Sequence, residues 1–526
     1  MGLPGAGRAL NGRRVGDNRG FPKGTPFRST TTPATPAYDT LTTTWTRLHR
    51  FGHLQSIASW DQAANMPAKG NEARAAALTE MAALIHRMRT DPALKGELAR
   101  AEQEPLNDLQ RANLREMQRE WRASNALPQS LVERKEMATA RCEHAWRSQR
   151  PANDWAGFLP NLQAVLALAR EEATLLADQL GCSRYEALMD QYEPGLTTAQ
   201  VDRVFGDVKQ WLPGLIQRVL AKQAQEPVIP FQGPFALDAQ RGLCTQVMKL
   251  IGFDFEGGRL DVSTHPFCGG VPEDVRMTTR FTEHEFLGSL MGTVHESGHG
   301  RYEQNLPREL LGQPVARARS MALHESQSLS FEMQLGSHAG FVQHLAPLVQ
   351  AAFGAHPSLE AANLHKHLTR VKPGFIRVDA DEVTYPAHIV LRYEIERALI
   401  EGELEAADIP AVWDEKMMQL LGVDTRGNFQ NGPMQDVHWP LSLFGYFPCY
   451  SLGAMYAAQW FAAMRRQHPD LDARIAAGDL AVVFDWLRDH IWTQASRWTT
   501  DELAIRASGE VLNPAHFKAH LAQRYL

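Results

Sequence analysis

The chain has 526 residues, of which 44% are hydrophobic and 22% are charged, a balance typical of a folded globular protein and not of a disordered one. Its 54 lysine and arginine residues against 60 aspartate and glutamate residues give a net charge of −6, without the basic excess of nucleic-acid-binding proteins. No uninterrupted apolar stretch reaches the length of a transmembrane helix, so we expect neither a membrane nor a nucleic acid as a partner.

The five cysteines are scattered along the chain and include no C-x-x-C pair. An odd count without paired spacing argues against a disulfide framework and against a cysteine-based zinc finger. Because free thiols persist where the environment is reducing, we expect a cytoplasmic location.

The first 37 residues differ from the rest of the chain. They are rich in glycine, proline and threonine, and their six lysine and arginine residues are accompanied by a single acidic residue, Asp17. Such a composition cannot build a packed core, so it predicts a disordered N-terminal extension over residues 1–37.

After this extension, apolar residues recur at spacings of three and four. Such stripes run through residues 41–51, 78–88 and 162–180. This period is that of amphipathic helices with one face in a core. Strand patterns are confined to residues 259–281, where apolar and polar residues alternate around a glycine-rich turn. The sequence therefore predicts a mainly α-helical protein with one small β-sheet.

The segment after the predicted sheet contains the pattern H-E-x-x-H, formed by His295, Glu296 and His299. On a helix, positions i and i+4 share a face, so both imidazoles can bind one metal ion. Zinc accepts neutral imidazole, and Glu296 is placed to act on water at the remaining coordination position. Upstream, Thr282 and Glu285 form a T-x-x-E capping box, which predicts that the helix carrying the motif starts there.

A catalytic zinc site needs a third protein ligand and one position left open for water. The extended pattern H-E-x-x-H-x-x-G-x-x-H would supply a third histidine, but Tyr302 and Asn305 stand at its glycine and histidine positions. A later helix must therefore supply the ligand. In the next apolar helical stretch, His324 and Glu325 are both candidates, and the spacing does not choose between them.

Five motifs in the second half of the chain resemble, in the same order, those of the thermostable-carboxypeptidase (Taq-type) family of zinc metallocarboxypeptidases. They are D-x-R-x-T at 274–278, H-E-x-x-H at 295–299, H-E-S at 324–326, I/V-R-x-x-A-D at 376–381 and G-x-x-Q-D-x-H-W at 432–439. The resemblance also includes residues 59–62 and 444–448, so that only the first 37 or so residues fall outside it.

The resemblance implies a single catalytic domain over residues 38–526. Its fold would be an elongated, two-lobed helical body with a deep central cleft, like that of neurolysin and angiotensin-converting enzyme. The resemblance further implies one zinc ion per chain, replaceable by cobalt, with His295, His299 and Glu325 as its ligands. It implies a homodimer that removes single residues, with broad specificity, from the C-termini of peptide substrates.

The resemblance also suggests roles around the metal. Glu296 is the expected general base, which takes a proton from the attacking water and passes it to the leaving amine. His438 and Tyr446 are the expected donors to the oxyanion of the tetrahedral intermediate, because a ring N–H and a phenol suit that task. Tyr385 and Tyr450 are the alternatives.

Recognition of a terminal carboxylate requires a planar fork of donors, which arginine offers. Arg276 and Arg377, each in one of the motifs, are the candidates. The alternative is a structural ion pair, such as Arg377 with Asp379 or Asp381. Tyr385, close to the second of these motifs, is a further candidate substrate contact. The stretch that contains His265 is expected to offer backbone groups to an extended peptide, in the manner of strand addition.

Two other functions stay open at this point. An oligo-endopeptidase on the same scaffold would cleave peptides whose C-terminus is blocked. A non-catalytic helical binding protein, in which a metal only joins two helices, would have no need of Glu296 as a base.

Overall fold

A computed structural model describes residues 34–263 and 266–526, and most of these residues are helical. The helices are α1 (Pro36–Ala64), α2 (Asn71–Arg89), α3 (Ala93–Ala101), α4 (Asp108–Asn125), α5 (Gln129–Gln149), α6 (Trp155–Leu180), α7 (Arg184–Met189), α8 (Thr198–Gln223), α9 (Leu237–Leu250), α10 (Leu287–Gln304), α11 (Met321–Leu329), α12 (Ala339–Phe353), α13 (Ala361–Leu368), α14 (Tyr385–Glu401), α15 (Ile409–Leu421), α16 (Pro448–Gln467), α17 (Leu471–Ala476), α18 (Ala481–His490), α19 (Thr500–Ser508) and α20 (Ala515–Tyr525). A π-helical segment, Ser330–Gly336, continues α11 directly.

The first helix begins at Pro36, close to the predicted start of the folded domain. Residues 1–33, which make up most of the predicted N-terminal extension, lie outside the described residues. No helix in the described ranges is long and apolar enough to cross a lipid bilayer.

The strands are β1 (Gly258–Val262), β2 (Phe267–Val271) and β3 (Asp274–Thr279), and they form one sheet in the order β1-β3-β2. The central strand pairs in parallel with β1 and antiparallel with β2. Val275 and Met277 on β3 are fully buried, and the sulfur of Met277 lies close to Gly300 of α10. The sheet therefore packs on the motif helix, and the predicted mainly helical fold with one small sheet beside that helix is confirmed.

The buried apolar residues form two main cores. The smaller core belongs to the N-terminal helices α1–α4 and includes Leu41 and Trp45, while the larger one joins the helices from α5 to α20. Helix α1 also touches the sheet, because the hydroxyl of Ser56 donates a hydrogen bond of 2.7 Å to the carbonyl oxygen of Gly270. The N-terminal helices are thus a separately packed layer beside β2.

Helix α10 begins later than its capping pattern predicts. It starts at Leu287, and the preceding residue, Phe286, provides no side-chain cap. Thr282 and Glu285 instead form a short backbone bridge, and the Glu285 carboxylate accepts a 2.7 Å hydrogen bond from the N–H of Gly288. The predicted capping box was therefore wrong, because Thr282 lies more than a turn too early and only the glutamate reaches the helix.

The C-terminal helix α20 is fixed to the body by one buried carboxylate, that of Glu382. It lies 2.6 Å from Nε2 of His520 and accepts hydrogen bonds from Tyr525 at 2.9 Å and Arg524 at 3.0 Å. Burial opposes ionisation of Glu382, but His520 and Arg524 outweigh it and lower its pKa to about 2. Arg524 also donates to the carbonyl oxygen of Gln334. Helix α20 therefore holds both the segment before α14 and the π-helical segment in place.

Candidate metal centre

Helices α10, α11 and α16 approach one another closely at two glycines. A Cβ atom on Gly298 of α10 would lie 2.4 Å from the carbonyl oxygen of Gln327, so only glycine allows α11 to come this near. A Cβ atom on Gly453 of α16 would lie 2.7 Å from Cβ of Glu325. Glu325 is therefore held between α10 and α16, which limits the positions its carboxylate can take.

Three side chains from α10 and α11 converge at this point. Oε2 of Glu325 lies 3.4 Å from Nε2 of His299 and 3.8 Å from Nε2 of His295. The three candidate ligand atoms all lie within 4.8 Å of one another. Bonds of about 2.0–2.1 Å to a tetrahedral zinc ion would separate ligand atoms by about 3.3 Å. The spacing therefore fits one shared ion better than it fits direct hydrogen bonds.

The other nitrogen of each histidine ring also has a partner. Nδ1 of His295 lies 2.7 Å from Oε2 of Glu332, in the π-helical segment. Nδ1 of His299 lies 2.6 Å from Nδ1 of His324, whose Nε2 lies 2.8 Å from the carboxylate of Glu303. Such contacts fix the ring orientation and the tautomer, so that Nε2 of both histidines is left to bind a metal.

The charges at the site favour a cation. Burial disfavours a charged His295, but the carboxylates of Glu325 and Glu332 outweigh burial and raise its pKa to about 10. Burial lowers the pKa of His299 to about 4. Burial would raise the pKa of Glu325, yet the two histidines outweigh it and lower that pKa to about 2. The carboxylates thus create a negative potential that suits a divalent metal.

The site opens into a cavity of about 1010 Å³, here called the metal cavity, whose lining includes His295, Glu296, Glu325 and Glu332. Among the described residues, the ligand group has no fourth histidine, cysteine or carboxylate. One coordination position is therefore left for water from the cavity. Burial raises the pKa of Glu296 to about 7, which suits a general base at neutral pH.

Another part of the metal cavity wall contains Arg377, Tyr385 and Tyr450. Nε and Nη2 of Arg377 donate to one oxygen of Asp436, at 3.0 and 2.8 Å, and Nη1 donates to the Tyr385 hydroxyl at 2.7 Å. Three of the five guanidinium N–H groups are thus used, which leaves one on each Nη atom. This pair can still bind a carboxylate. The sequence suggested Asp379 or Asp381 as a structural partner of this arginine, whereas Asp436 is the one observed.

His438 and Tyr446 are near this wall but do not line the metal cavity. Nε2 of His438 lies 3.3 Å from the Tyr450 hydroxyl. Burial lowers the pKa of His438 to about 4, so its ring is neutral. The Tyr446 ring lies 5.2 Å from that of Tyr450, centroid to centroid. The structure therefore puts Tyr450 on the cavity wall, with the two predicted donors packed against it.

Two other predicted residues are placed differently. Arg276 makes a bidentate ion pair with Asp274 on the same strand, in which Nε and Nη2 donate to the two carboxylate oxygens at 2.6 and 2.7 Å. Its guanidinium lies 4.7 Å from the Trp60 ring centroid. It does not line the metal cavity. His265 lies outside the described residues, although the neighbouring Pro266 lines the metal cavity.

Sequence reasoning missed the two carboxylates behind the histidines, Glu332 next to His295 and Glu303 next to His324, although a signal was present for each. Glu332 follows Glu325 by seven residues, which on a helix is about two turns and the same face. Glu303 follows His299 by four residues and shares its face of α10. The pairing of Asp436 with Arg377, across 59 residues, has no such local signal.

Comparison with known proteins agrees with this geometry. The family described as Carboxypeptidase Taq (M32) metallopeptidase matches residues 40–525. The chain belongs to this family. It is 38% identical over 485 residues to thermostable carboxypeptidase 1 of Thermus thermophilus, an alignment that covers 90% of this chain and 95% of that protein.

Solved structures of M32 carboxypeptidases share the fold. The structure of Trypanosoma cruzi metallocarboxypeptidase 1 has 47% sequence identity and a TM-score of 0.92, with 94% of this chain and 100% of that chain covered. The Pyrococcus furiosus carboxypeptidase structure has 29% identity and a TM-score of 0.88, with 94% and 99% covered. The predicted family and enzyme class are therefore confirmed, and this M32 protein is a metallocarboxypeptidase with a metal cofactor.

Replacement of the carboxylate behind His295 should weaken metal binding. We predict that Glu332→Gln lowers the affinity for zinc about 10- to 100-fold, because an amide holds the Nδ1–H of the imidazole less strongly than a carboxylate. Competition with a chelator of known affinity measures the change. The control is Glu415→Gln, at an exposed position of α15, which should bind zinc like the wild type. Equal affinity in Glu332→Gln and the control would contradict the assigned role.

Proposed function

We propose that this M32 protein is a zinc carboxypeptidase that removes single residues, with broad side-chain preference, from the free C-terminus of peptides. The observation that carries the proposal is the convergence of His295, His299 and Glu325 at a cavity that also exposes Glu296. Two imidazoles and one carboxylate are a donor set that suits zinc, and cobalt accepts the same donors.

When bound, the divalent cation supplies Lewis acidity, which polarises water and the scissile carbonyl group. Glu296 takes the proton of the attacking water and later donates it to the leaving amine. Its burial supports this role, because a carboxyl group with a pKa of about 7 can both accept and release a proton near neutral pH. Glu332 and His324 hold the two imidazoles in the orientation that leaves Nε2 free.

Arg377 is the residue that we propose to bind the terminal carboxylate of the substrate. It lines the metal cavity, and Asp436 and Tyr385 hold its guanidinium while leaving one N–H on each Nη atom. A fork of this kind can bind a carboxylate through two hydrogen bonds. Arg276 is the weaker candidate, because its own fork is already paired with Asp274.

The oxyanion of the tetrahedral intermediate needs hydrogen-bond donors as well as the metal. We propose that Tyr450, on the cavity wall, shares this task with His438 and Tyr446. The 3.3 Å contact between Nε2 of His438 and the Tyr450 hydroxyl supports a joint role, since the two groups can exchange donor and acceptor positions.

Two features of the protein outside the site belong to the same proposal. We infer a homodimer from the family resemblance. A cytoplasmic location is supported by the cysteines, all five of which lie in the described ranges as free thiols.

The role of Glu296 predicts a separation of metal content from turnover. Glu296→Gln should keep one metal ion per chain, because the side chain is not one of the three ligands, and should lower kcat about 10²- to 10⁴-fold through loss of the general base. Elemental analysis and peptide hydrolysis on the same preparation measure both quantities. Loss of the metal together with activity would mean that Glu296 has a structural role instead.

The carboxylate clamp predicts a preference for free-acid peptides over the same peptides with a C-terminal amide. We expect kcat/KM for the free acid to exceed that for the amide by about 100-fold, and Arg377→Gln to remove most of this difference. Arg377→Lys keeps the charge but not the fork, so it should restore only a small part of the preference. Mass spectrometry of the products measures the rates. Equal cleavage of both peptides by the wild type would instead support the oligo-endopeptidase.

A further inference from the structure

A second cavity, of about 450 Å³, lies at the C-terminal end of α10. Its walls come from α1, α2, the end of β2 and residues 311–318, and it is separate from the metal cavity. Its lining includes the polar and charged residues His49, His53, Arg89, Glu303 and Arg317, together with Gly270 of β2.

Strand β2 and helix α10 both lead from the metal cavity to the second cavity. Pro266 and Glu296 line the metal cavity, whereas Gly270 and Glu303 line the second one. Cys268 lies on β2 between Pro266 and Gly270. The four residue-to-residue steps from Pro266 to Gly270 advance about 13 Å, at about 3.3 Å per step of extended chain.

This path suits an extended peptide. The strand order β1-β3-β2 makes β2 an edge strand, and an edge strand can receive a further extended chain. The carbonyl oxygen of Gly270 already accepts from Ser56 of α1, so the stretch of β2 before Gly270 is the part that can pair with a peptide. Arg377, the proposed contact of the substrate C-terminus, belongs to the metal cavity. A chain that continues into the second cavity must therefore be the part of the substrate upstream of the scissile bond.

The second cavity has an excess of positive charge on its α2 and 311–318 walls. Arg317 contacts the carboxylate of Glu120, and Nη2 of Arg89 lies 3.9 Å from the other oxygen of the same group, so two guanidinium groups share one carboxylate. Nε of Arg89 is buried without a hydrogen-bond partner among the described residues. The single acidic residue of the lining, Glu303, is already 2.8 Å from Nε2 of His324.

From this geometry we propose that the second cavity binds the upstream part of peptide substrates and selects an acidic side chain three to five residues before the scissile bond. Arg89 and Arg317 attract the carboxylate, while His49 and His53 of α1 supply further polar contacts. The proposal rests on the carboxypeptidase function proposed above, to which it adds the class of peptide preferred.

Peptide series of matched sequence test this proposal. The peptides have eight residues and a free C-terminus. In each of three sets one position is varied, namely the third, fourth or fifth residue before the scissile bond, and within a set that residue is Glu, Gln or Lys. An N-acylated dipeptide is too short to reach the second cavity. We expect kcat/KM to be about tenfold higher for Glu than for Lys at the best of these positions. In 0.5 M salt this ratio should fall towards one, because salt screens the attraction.

Variants assign the preference to the second cavity. The double substitution Arg89→Gln, Arg317→Gln should lower the Glu-to-Lys ratio to within about twofold of one, whereas Arg317→Lys, which keeps the charge, should retain most of it. The matched control is Arg426→Gln, at an exposed arginine paired with Asp424, and it should retain the full ratio.

The outcomes separate the two proposals. A wild-type ratio near one at all three positions, or a ratio that the double substitution leaves intact, would overturn the proposed role of the second cavity even if every peptide is hydrolysed. Failure to hydrolyse both the N-acylated dipeptide and the octapeptides would instead contradict the carboxypeptidase function itself.

Discussion

The structure depends on one largely enclosed carboxylate, that of Glu325, whose side chain is 13% exposed. A carboxylate enclosed between helices is costly in free energy unless positive partners surround it. The imidazole of His295, whose pKa is raised to about 10, is such a partner, and a divalent cation shared by Glu325, His295 and His299 is a stronger one. The contacts at Gly298 and Gly453 keep the helices close enough for this convergence, so the packing of α10, α11 and α16 and the chemistry of the site have the same origin.

Much of the site could be predicted because its signals are local. The spacing of His295 and His299 gives a shared helix face, and the motif order identified Glu325 where spacing alone left it equal with His324. The fold class followed from helical periodicity and a single strand-rich segment. The start of α10 was placed too early, because the T-x-x-E pattern identifies a turn but not which residue begins the helix.

The parts that escaped prediction depend on tertiary contacts. Asp436 holds Arg377 across a long stretch of sequence, and no periodicity reveals such a pair. The choice among the candidate donors is another such case, because Tyr450, named only as an alternative, reaches the cavity wall, whereas His438 and Tyr446 pack against it. The second cavity forms only where the N-terminal helices meet the sheet. Its link to the metal centre, through Glu303, depends on how the C-terminal end of α10 packs.

The coordination of the bound metal tests the central claim most directly. A crystal structure of the zinc-loaded protein, with anomalous data collected at the zinc absorption edge, would locate the ion and its ligands. We predict one ion per chain, bound to Nε2 of His295, Nε2 of His299 and the carboxylate of Glu325, with solvent in the remaining position. An ion that does not contact Glu325, or a fourth side chain in place of solvent, would contradict the account.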